Sequence, residues 1–461
     1  MYAAHPLEVS RPDLMALVDK YDGRAPRYTS YPTAVQFKPE VDADAHRRWL
    51  AALDPAEAVS LYAHIPFCSR LCWFCGCSTR AVNRHEPVSE YVALLIQEIG
   101  LVTPSLPGRL RAKALHLGGG TPNMMSPADM DLLFAALREA FDFDPGAEIA
   151  AELDPASLTQ AWVKAAAGHG LNRASLGVQS LSPKVQAAVN RRESFEEVSQ
   201  CVGWLRDAGV GSVNIDLMYG LPHQTTTNML ETVERVAGLR PERLALFGYA
   251  HVPWMKAHQQ LIDEAALPGP VDRLDQSEAA ADHLIAQGYV RIGLDHFALP
   301  DDELAVALKA GRLNRNFQGY TTDDAGALLG FGASAIGVLP QGYVQNTAQE
   351  LGWRAAVAKG ELPTVRGVAV TPDDRFRGEI IARLMCDLRV DLAAVCARHG
   401  RSLDDLAGER ARLKDFAADD LVRLEGAVVQ VTELGRLLVR SVCAVFDAYF
   451  APEAGRHSKA I

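Results

Sequence analysis

The sequence predicts an α/β chain: a partial or full β/α barrel with an N-terminal arm and a small, mostly helical C-terminal domain. Three observations predict it. Stretches of strand character alternate with helical stretches between residues 59 and 252, which implies parallel strands joined by crossover helices. Polar and glycine residues gather at one end of those strands, where β/α barrels place their chemistry. Beyond about residue 372 the alternation gives way to helical segments and one short hairpin-like piece. The expected boundaries are 1–50 for the arm, 51–365 for the barrel with its extensions and 366–461 for the C-terminal domain.

Residues 1–50 contain RYTSYPTAVQF, rich in aromatic residues, Pro and Thr, which reads as extended, with a short helix at PDLMALVDKY. The first predicted strand is VSLYAHI (59–65), followed by KALHLGGG (113–120), apolar and then abruptly glycine. SPADMDLLFAALREAF (126–141) is a helix. Ser126 is its N-cap, Pro127 its first residue, and Met130, Leu133, Phe134, Leu137 and Phe141 form its apolar stripe. EIAAELDP (148–155), RASLGVQS (173–180), SVNIDLMYG (212–220) and RLALFGYAHV (243–252) continue the strand series, with helical pieces such as SFEEVSQCVGWLRDAG (194–209) between them. Near the C-terminus, GAVVQVT (426–432) is hairpin-like. ELGRLLVRSVCAVFDAYF (433–450) carries Leu434, Leu437, Leu438, Val442, Val445, Phe446 and Tyr449 on one helical face, which suggests a winged-helix type of domain.

The 461 residues are 48% apolar and 22% charged, ordinary for an enzyme with a sizeable core. No apolar run is long enough to span a membrane, and the N-terminus lacks a secretory pattern. A net charge of -11 argues against a nucleic-acid partner. It also means that an anionic substrate must be held by local Arg and Lys. The expected setting is cytoplasmic, and the expected state a monomer.

Eight cysteines are too few for a disulfide scaffold, and four of them crowd into PFCSRLCWFCGCS (66–78). The spacing is C-x3-C-x2-C-x-C, at Cys68, Cys72, Cys75 and Cys77. Structural zinc usually draws on two separated pairs of ligands, and C-x-C strains a tetrahedral closure. The alternative is an iron–sulfur cluster held by Cys68, Cys72 and Cys75, which leaves one iron open to a substrate or cosubstrate. Trp73 and Phe74, between the ligands, would shield it from water. Cys77 is left over, either as a reactive thiol or as a small buried residue.

C-x3-C-x2-C after one strand and GGGTP after the next resemble the radical S-adenosylmethionine (SAM) superfamily. The resemblance extends through RYTSYPTA, YAHIPFCSRLCWFCGC, LHLGGGTP, ELDP, GVQS, VNRRE, NIDLMYGLP, YAHVP, LDHFALPDDELAVA and RNFQGYTT. Over nearly the whole chain it is similar to the oxygen-independent coproporphyrinogen III oxidase (dehydrogenase) family. A haem-binding relative without dehydrogenase activity is the nearest alternative. Such relatives typically lack the YTSYP arm, the fourth cysteine and a QGYTT-like segment, all present here.

The resemblance implies a radical SAM partial (β/α) barrel, a [4Fe–4S] cluster on Cys68, Cys72 and Cys75, and two SAM molecules. Tyr62, Phe74, Gly119, Gly120, Thr121, Glu152, Gln179, Arg191, Asp216, Ala250 and Ile336 match its SAM-contacting positions. Their chemistry suits the task. Glu152 and Asp216 can accept from hydroxyl or amino groups, Arg191 can fork onto a carboxylate, and Gln179 can donate and accept. Ala250 and Ile336 can line an adenine pocket. Tyr62 and Cys77 are the candidate catalytic residues, while His64, Asp295 and His296 lie in matching motifs. The implied reaction uses a 5′-deoxyadenosyl radical to convert two propionates of coproporphyrinogen III to vinyls, giving protoporphyrinogen IX for porphyrin and haem biosynthesis. It requires an electron donor that the sequence does not reveal. Arg27, Tyr28 and Tyr31 of the arm are expected to bind carboxylates and close the site. NFQGYTT (316–322) and Cys77 are expected to shape the second SAM region.

Overall fold

The computed structural model describes residues 11–21, 23 and 25–450. Six parallel strands form its centre: β1 (Val59–Ile65), β2 (Arg111–Gly119), β3 (Asp142–Leu153), β4 (Arg173–Gln179), β5 (Ser212–Tyr219) and β6 (Arg243–Gly248), adjacent in that order. After β6 the sheet continues through an antiparallel pair, β7 (Val290–Ile292) and β8 (His296–Ala298), with β8 beside β6. On the other side β9 (Ala327–Phe331) runs parallel to β1. Antiparallel β10 (Ile336–Leu339), β11 (Gly342–Asn346) and β12 (Thr364–Ala369) then extend it. The twelve strands run from β12 to β7 without a closing pair among the described residues, so the barrel is partial.

Side-chain alternation explains what this sheet encloses. On β4, Ala174, Leu176 and Val178 are fully buried, while Arg173, Ser175, Gly177 and Gln179 keep some access to solvent. On β5, Val213, Ile215 and Leu217 are buried and Asn214, Asp216 and Met218 alternate with them. One face of each strand therefore packs into the main core and the other points into the barrel. Helices supply the outer layer. Pro127–Ala140 and Phe195–Asp207 start where the sequence places them, each with a capping box, Ser126 with Asp129 and Ser194 with Glu197. Their apolar stripes, including Met130, Leu133, Phe134, Val198, Val202 and Leu205, join one large hydrophobic core.

Two local readings change. Asp42 caps a further helix, Ala43–Ala51, in the segment read as an extended arm. The stretch 433–450 is two short helices, Glu433–Arg436 and Val439–Ala444, rather than a continuous one. Tertiary contacts break it. Gly435 packs so tightly against Leu421 that a Cβ would overlap its carbonyl, and two arginines are buried there. Arg436 donates to the carbonyl of Gly293, and Arg440 to those of Ala25 and Pro26. The C-terminal segment also holds a three-stranded sheet of Arg389–Asp391, Val428–Val431 and Val422–Glu425. Tyr28 and Tyr31 of the arm are buried in the same hydrophobic cluster as Phe376, Leu384 and Phe446. No helix among the described residues is long and apolar enough to cross a membrane.

One buried carboxylate ties the extension strands to the barrel helices. Glu98 accepts from the Gly332 amide at 2.7 Å, from Asn346 Nδ2 at 2.6 Å and from Trp353 Nε1 at 2.9 Å. Burial pushes its carboxyl up to about 7, against the pull of those three donors. A carboxyl raised on folding contributes stability below its unfolded pKa and loses it as pH rises through the folded value. Glu98→Gln is therefore expected to gain on the wild type between about pH 5 and about pH 8, by up to roughly 3 kcal/mol. Denaturant midpoints across that range check this; parallel pH profiles would count against it. Glu98→Ala leaves three donors unpaired and is expected to cost about 3 kcal/mol or more.

Candidate active site at the strand ends

The cysteine loop leaves the C-terminal end of β1, and its first residues, Phe67–Cys68, pair with Arg80–Ala81. Its backbone is held from two sides. The Trp73 amide donates to the Val189 carbonyl at 3.0 Å, and Asn190 Nδ2 to that of Leu71 at 2.9 Å. From the segment after β6, Gln259 Nε2 donates to the Phe74 carbonyl at 3.0 Å. His258 Nε2 donates to the Cys75 carbonyl at 2.7 Å, and Lys256 Nζ to the Cys77 carbonyl at 2.9 Å. Trp73 and Phe74 pack against Val185, Val189, Leu221, Tyr249 and Ile262, so their rings are fixed from below.

All eight cysteines are free; Cys72 is buried, Cys68 and Cys75 are half-buried and Cys77 is exposed. Each of the first three sulfurs meets a donor. Thr121 Oγ1 lies 3.3 Å from Cys68 Sγ, Arg191 Nη1 lies 3.5 Å from Cys72 Sγ, and the Cys77 amide lies 3.4 Å from Cys75 Sγ. Burial pushes the Cys68 and Cys72 thiols up. The Cys77 thiol, donating to Cys75, pulls Cys75 down and is itself driven up. Donors of this kind favour thiolates and tune any metal bound to them. No three His, Cys, Asp or Glu side chains among the described residues converge on a single metal ion. A cluster asks for no such convergence, since its thiolates sit on different irons.

Facing the loop is the glycine run that ends β2. A Cβ on Gly118 would come within 3.0 Å of the Glu152 carboxylate, and one on Gly119 within 2.5 Å of the His64 ring. Gly119 also has φ +110, a conformation that glycine alone adopts readily. Its amide donates to Glu152 Oε2 at 3.1 Å, while His116 Nε2 lies 3.1 Å from Oε1. His116 and that amide hold Glu152 below the usual carboxylate range, against the upward push of burial. Tyr62 stacks on His116, with ring centroids 5.9 Å apart, and its hydroxyl lies 3.0 Å from His64 Nδ1. His64 Nε2 lies 2.9 Å from the Ser78 carbonyl, which can only accept. Burial pulls His64 down against the Ser78 carbonyl and Glu152, which favours the form with the proton on Nε2 and with Nδ1 accepting from Tyr62.

Further round the barrel, Gln179 ends β4 at φ 68, with a buried Oε1 that has no hydrogen-bond partner. Asp216 on β5 accepts from Ser175 Oγ at 2.9 Å and Asn214 Nδ2 at 2.7 Å. Burial pushes it up to about 6 despite those donors. Ala250 follows β6, its carbonyl accepting from Gln259 at 3.3 Å. Ile336 begins β10 and packs its backbone on Gly330, the neighbour of Tyr62 across β1 and β9. His296 is buried, its Nδ1 2.7 Å from Asp295 Oδ1.

Three of the expected side chains have protein partners of their own. Arg191 does not offer a free fork: it donates to Glu193 at 3.2 Å, to Asp154 at 3.1 Å, to the Gly177 carbonyl and to Cys72 Sγ. Tyr28 donates to Asp447 and Tyr31 accepts from the Ala448 amide, while Arg27 reaches the Gly248 carbonyl at the end of β6. The sequence reading also passed over His116, Asp154 and the Lys256, His258 and Gln259 clamp. His116 had a signal, since it alternates with Gly118 on one face of β2.

Comparison with known proteins assigns the arrangement. Residues 62–236 match the radical SAM superfamily and residues 370–438 the HemN C-terminal domain. The oxygen-independent coproporphyrinogen III oxidase of Bradyrhizobium diazoefficiens is 49% identical over 438 residues, covering 95% of this chain and 97% of that one. The chain belongs to the oxygen-independent coproporphyrinogen III oxidase family. The Escherichia coli K12 protein of that name is 40% identical over 95% of this chain and 96% of its own. The solved structure of HemN, the E. coli coproporphyrinogen III oxidase described as a radical SAM enzyme, superposes with a TM-score of 0.88 at 38% identity. That match covers 95% of this chain and 99% of HemN. As a member of this family, the chain carries the partial barrel expected from its sequence.

In this oxidase-family chain the clamp on the cysteine loop makes a local prediction. Gln259→Leu removes the donor to Phe74 and Ala250 and the acceptor of the Val252 amide. Amide exchange over residues 72–78 is expected to speed by roughly tenfold or more. Exchange mass spectrometry reads this directly, and unchanged protection would remove the clamp from the account.

Proposed function

We propose that this chain carries out the oxygen-independent oxidative decarboxylation of two propionates of coproporphyrinogen III, giving protoporphyrinogen IX. The observation that carries the reading is the set of three donor-supported thiols facing a glycine cradle across one barrel mouth. The residues fit the groups that the reaction needs. Cys68, Cys72 and Cys75 would hold a [4Fe–4S] cluster, and the cradle and the orphaned Gln179 Oε1 would receive two SAM molecules. When bound, the cluster and SAM supply a reductively generated carbon radical that removes hydrogen from an unactivated C–H bond.

The chain's own residues bind, orient and exclude water. Gly119, Gly120 and Thr121 pack closely on His64, Phe67 and Thr79, with the Gly120 and Thr121 amides bonded to the Ile65 and Phe67 carbonyls, which fixes the shape of the cradle beside the loop. Glu152, held anionic by His116 and Gly119, suits an ammonium or hydroxyl group. Tyr62 is kept in one orientation by His64 and His116. Gln179 Oε1 offers an acceptor with no competing protein donor, and Asp216 a second carboxylate. Phe74, Ala250 and Ile336 supply apolar surface. Arg191 acts through Cys72 and the carboxylates around it. Cys77 stays outside the cluster set, open to solvent beside Cys75. We place the protein in the cytoplasm as a monomer served by a separate electron donor.

Anaerobic reconstitution with iron and sulfide, followed by SAM, a reducing system and coproporphyrinogen III, tests the reading. Protoporphyrin fluorescence after oxidation is expected with about two 5′-deoxyadenosines per product. Deoxyadenosine without protoporphyrin would move the substrate elsewhere. Cys77→Ser is expected to retain the iron that Cys72→Ser loses. With Asp216 raised to about 6, its charge is completed as pH rises through that value. SAM affinity is therefore expected to rise between about pH 5 and about pH 7, and Asp216→Asn to flatten that rise.

A further inference from the structure

Away from the thiols and the cradle, several arginines gather beside the end of β6, and two of them keep buried donor atoms without a partner. Arg27 of the arm reaches the Gly248 carbonyl at the end of β6, with Nη2 at 3.5 Å. Arg273 lies at the same strand end, donating to the Tyr249 carbonyl at 2.8 Å, with its guanidinium 5.7 Å from the Tyr219 ring. Its Nε is buried without a partner. Arg315 sits on the hairpin of Asn314–Asn316 and Gly319–Thr321, 4.5 Å above the Tyr320 ring. Its Nε and Nη1 are both buried without a partner. Arg440, through the carbonyls of Ala25 and Pro26, fixes the arm immediately before Arg27.

These cations stand within one field. Burial, reinforced by Arg27 and with Arg315 also contributing, pulls Arg440 down to about 10. Asp295 is the carboxylate among them, and its Oδ1 is engaged by His296. Against the push of burial, His296 and then Arg315 and Arg27 lower it to about 2. Yet among the described residues neither Arg27, Arg273 nor Arg315 forms an ion pair within 4.0 Å. Arg27 is exposed and Asp295 favours the Arg315 charge, but the buried Nε and Nη1 of Arg315 and the buried Nε of Arg273 are donors without an acceptor, which a carboxylate would supply. Guanidinium forks match carboxylates in geometry, and Tyr320 beneath Arg315 fixes the plane of its fork. The cluster also adjoins the barrel interior. His296 lies edge-on to Tyr320 at 5.2 Å and to Phe247 of β6 at 5.6 Å, and its charge acts on Asp216.

We propose that Arg315 and Arg27, backed by Arg273 and Arg440, form the anchor for a propionate carboxylate of the porphyrinogen. The anchor rests on the substrate reading above and adds to it the groups that recognise the substrate's charge. It sets specificity for a carboxylated ring at a place distinct from the thiols and the cradle.

The test is equilibrium binding to the anaerobically reconstituted full-length protein. The probes are coproporphyrin III, the stable oxidised ring with the same carboxylates, and its uncharged tetramethyl ester, both in one detergent buffer. The wild type is expected to prefer the acid. Arg315→Gln is expected to weaken acid binding by roughly tenfold to a hundredfold while leaving the ester little changed, so that the preference collapses. Arg27→Gln is expected to act in the same direction. Exposed Arg312→Gln serves as a control for general surface charge. A purely structural role for Arg315 would move both probes together. An acid-to-ester ratio unchanged in Arg315→Gln overturns the anchor. If that variant does not fold, Arg315→Met, which keeps an apolar stem over Tyr320, is read in the same way. A wild type that binds neither ring or shows no preference overturns the substrate reading itself, a failure distinct from an unchanged ratio in the variant.

Discussion

Everything at this site depends on the two-residue alternation of side chains along six parallel strands. It commits one face of each strand to a dry core and the other to the barrel interior. The outer face is satisfied by helices whose apolar stripes match it. The inner face carries Ser175, Gln179, Asn214, Asp216, His116 and Glu152, and these must find partners among themselves. Most do. Ser175 and Asn214 both donate to Asp216, and His116 and the Gly119 amide engage Glu152. Gln179 Oε1 and Asn214 Oδ1 are left over. Two carboxamide oxygens on the inner face, on neighbouring strands, thus have no donor among the described residues, and buried acceptors of this kind call for a partner from outside the strands.

The same alternation gives the cavity an electrical direction. Glu152 and Asp216 lie on the central strands, with Glu152 close enough to act on the Cys77 thiol. Arg27, Arg273 and Arg315 lie at the far end, beyond β6, on elements that are not themselves parallel strands of the barrel. A zwitterionic cosubstrate with a positive sulfur suits the first region; a polycarboxylate suits the second. Neither preference follows from the net charge of -11, which concerns the protein as a whole. What a ligand meets is the local arrangement, strengthened by low-dielectric walls.

The strands, the cysteine loop and the glycine run were legible because each is written in contiguous residues with a short-range cause: period two for the strands, thiol spacing for the loop, backbone approach for the glycines. What was not legible depends on contacts across hundreds of positions. The break near Leu437 follows from Arg436 and Arg440 reaching Gly293 and the arm. Arg191 reads as an open fork until Asp154 and Glu193 are brought to it. Tyr28 and Tyr31 read as site residues because aromatic rings in an arm have no visible partner in sequence, yet the C-terminal segment buries them. Gln259, His258 and Lys256 carry no motif at all. Their role exists only because the chain after β6 returns to the loop after β1.

This division explains why the arm and the C-terminal segment are built together. The barrel strands can present only what their alternation allows, and their inner positions near β1–β5 are occupied by the groups described above. Cations for the substrate must therefore come from outside the strand series. Arg27 comes from the arm and Arg315 from a hairpin whose Tyr320 hydroxyl donates to the Met385 carbonyl of the helix Pro372–Asp387. Arg440 comes from the C-terminal helix Val439–Ala444. Each is positioned by a contact that crosses from one part of the chain to another, so the anchor forms only when those parts are docked. Such a construction lets the radical-forming half of the site keep its strand geometry while recognition of the ring is set by peripheral elements.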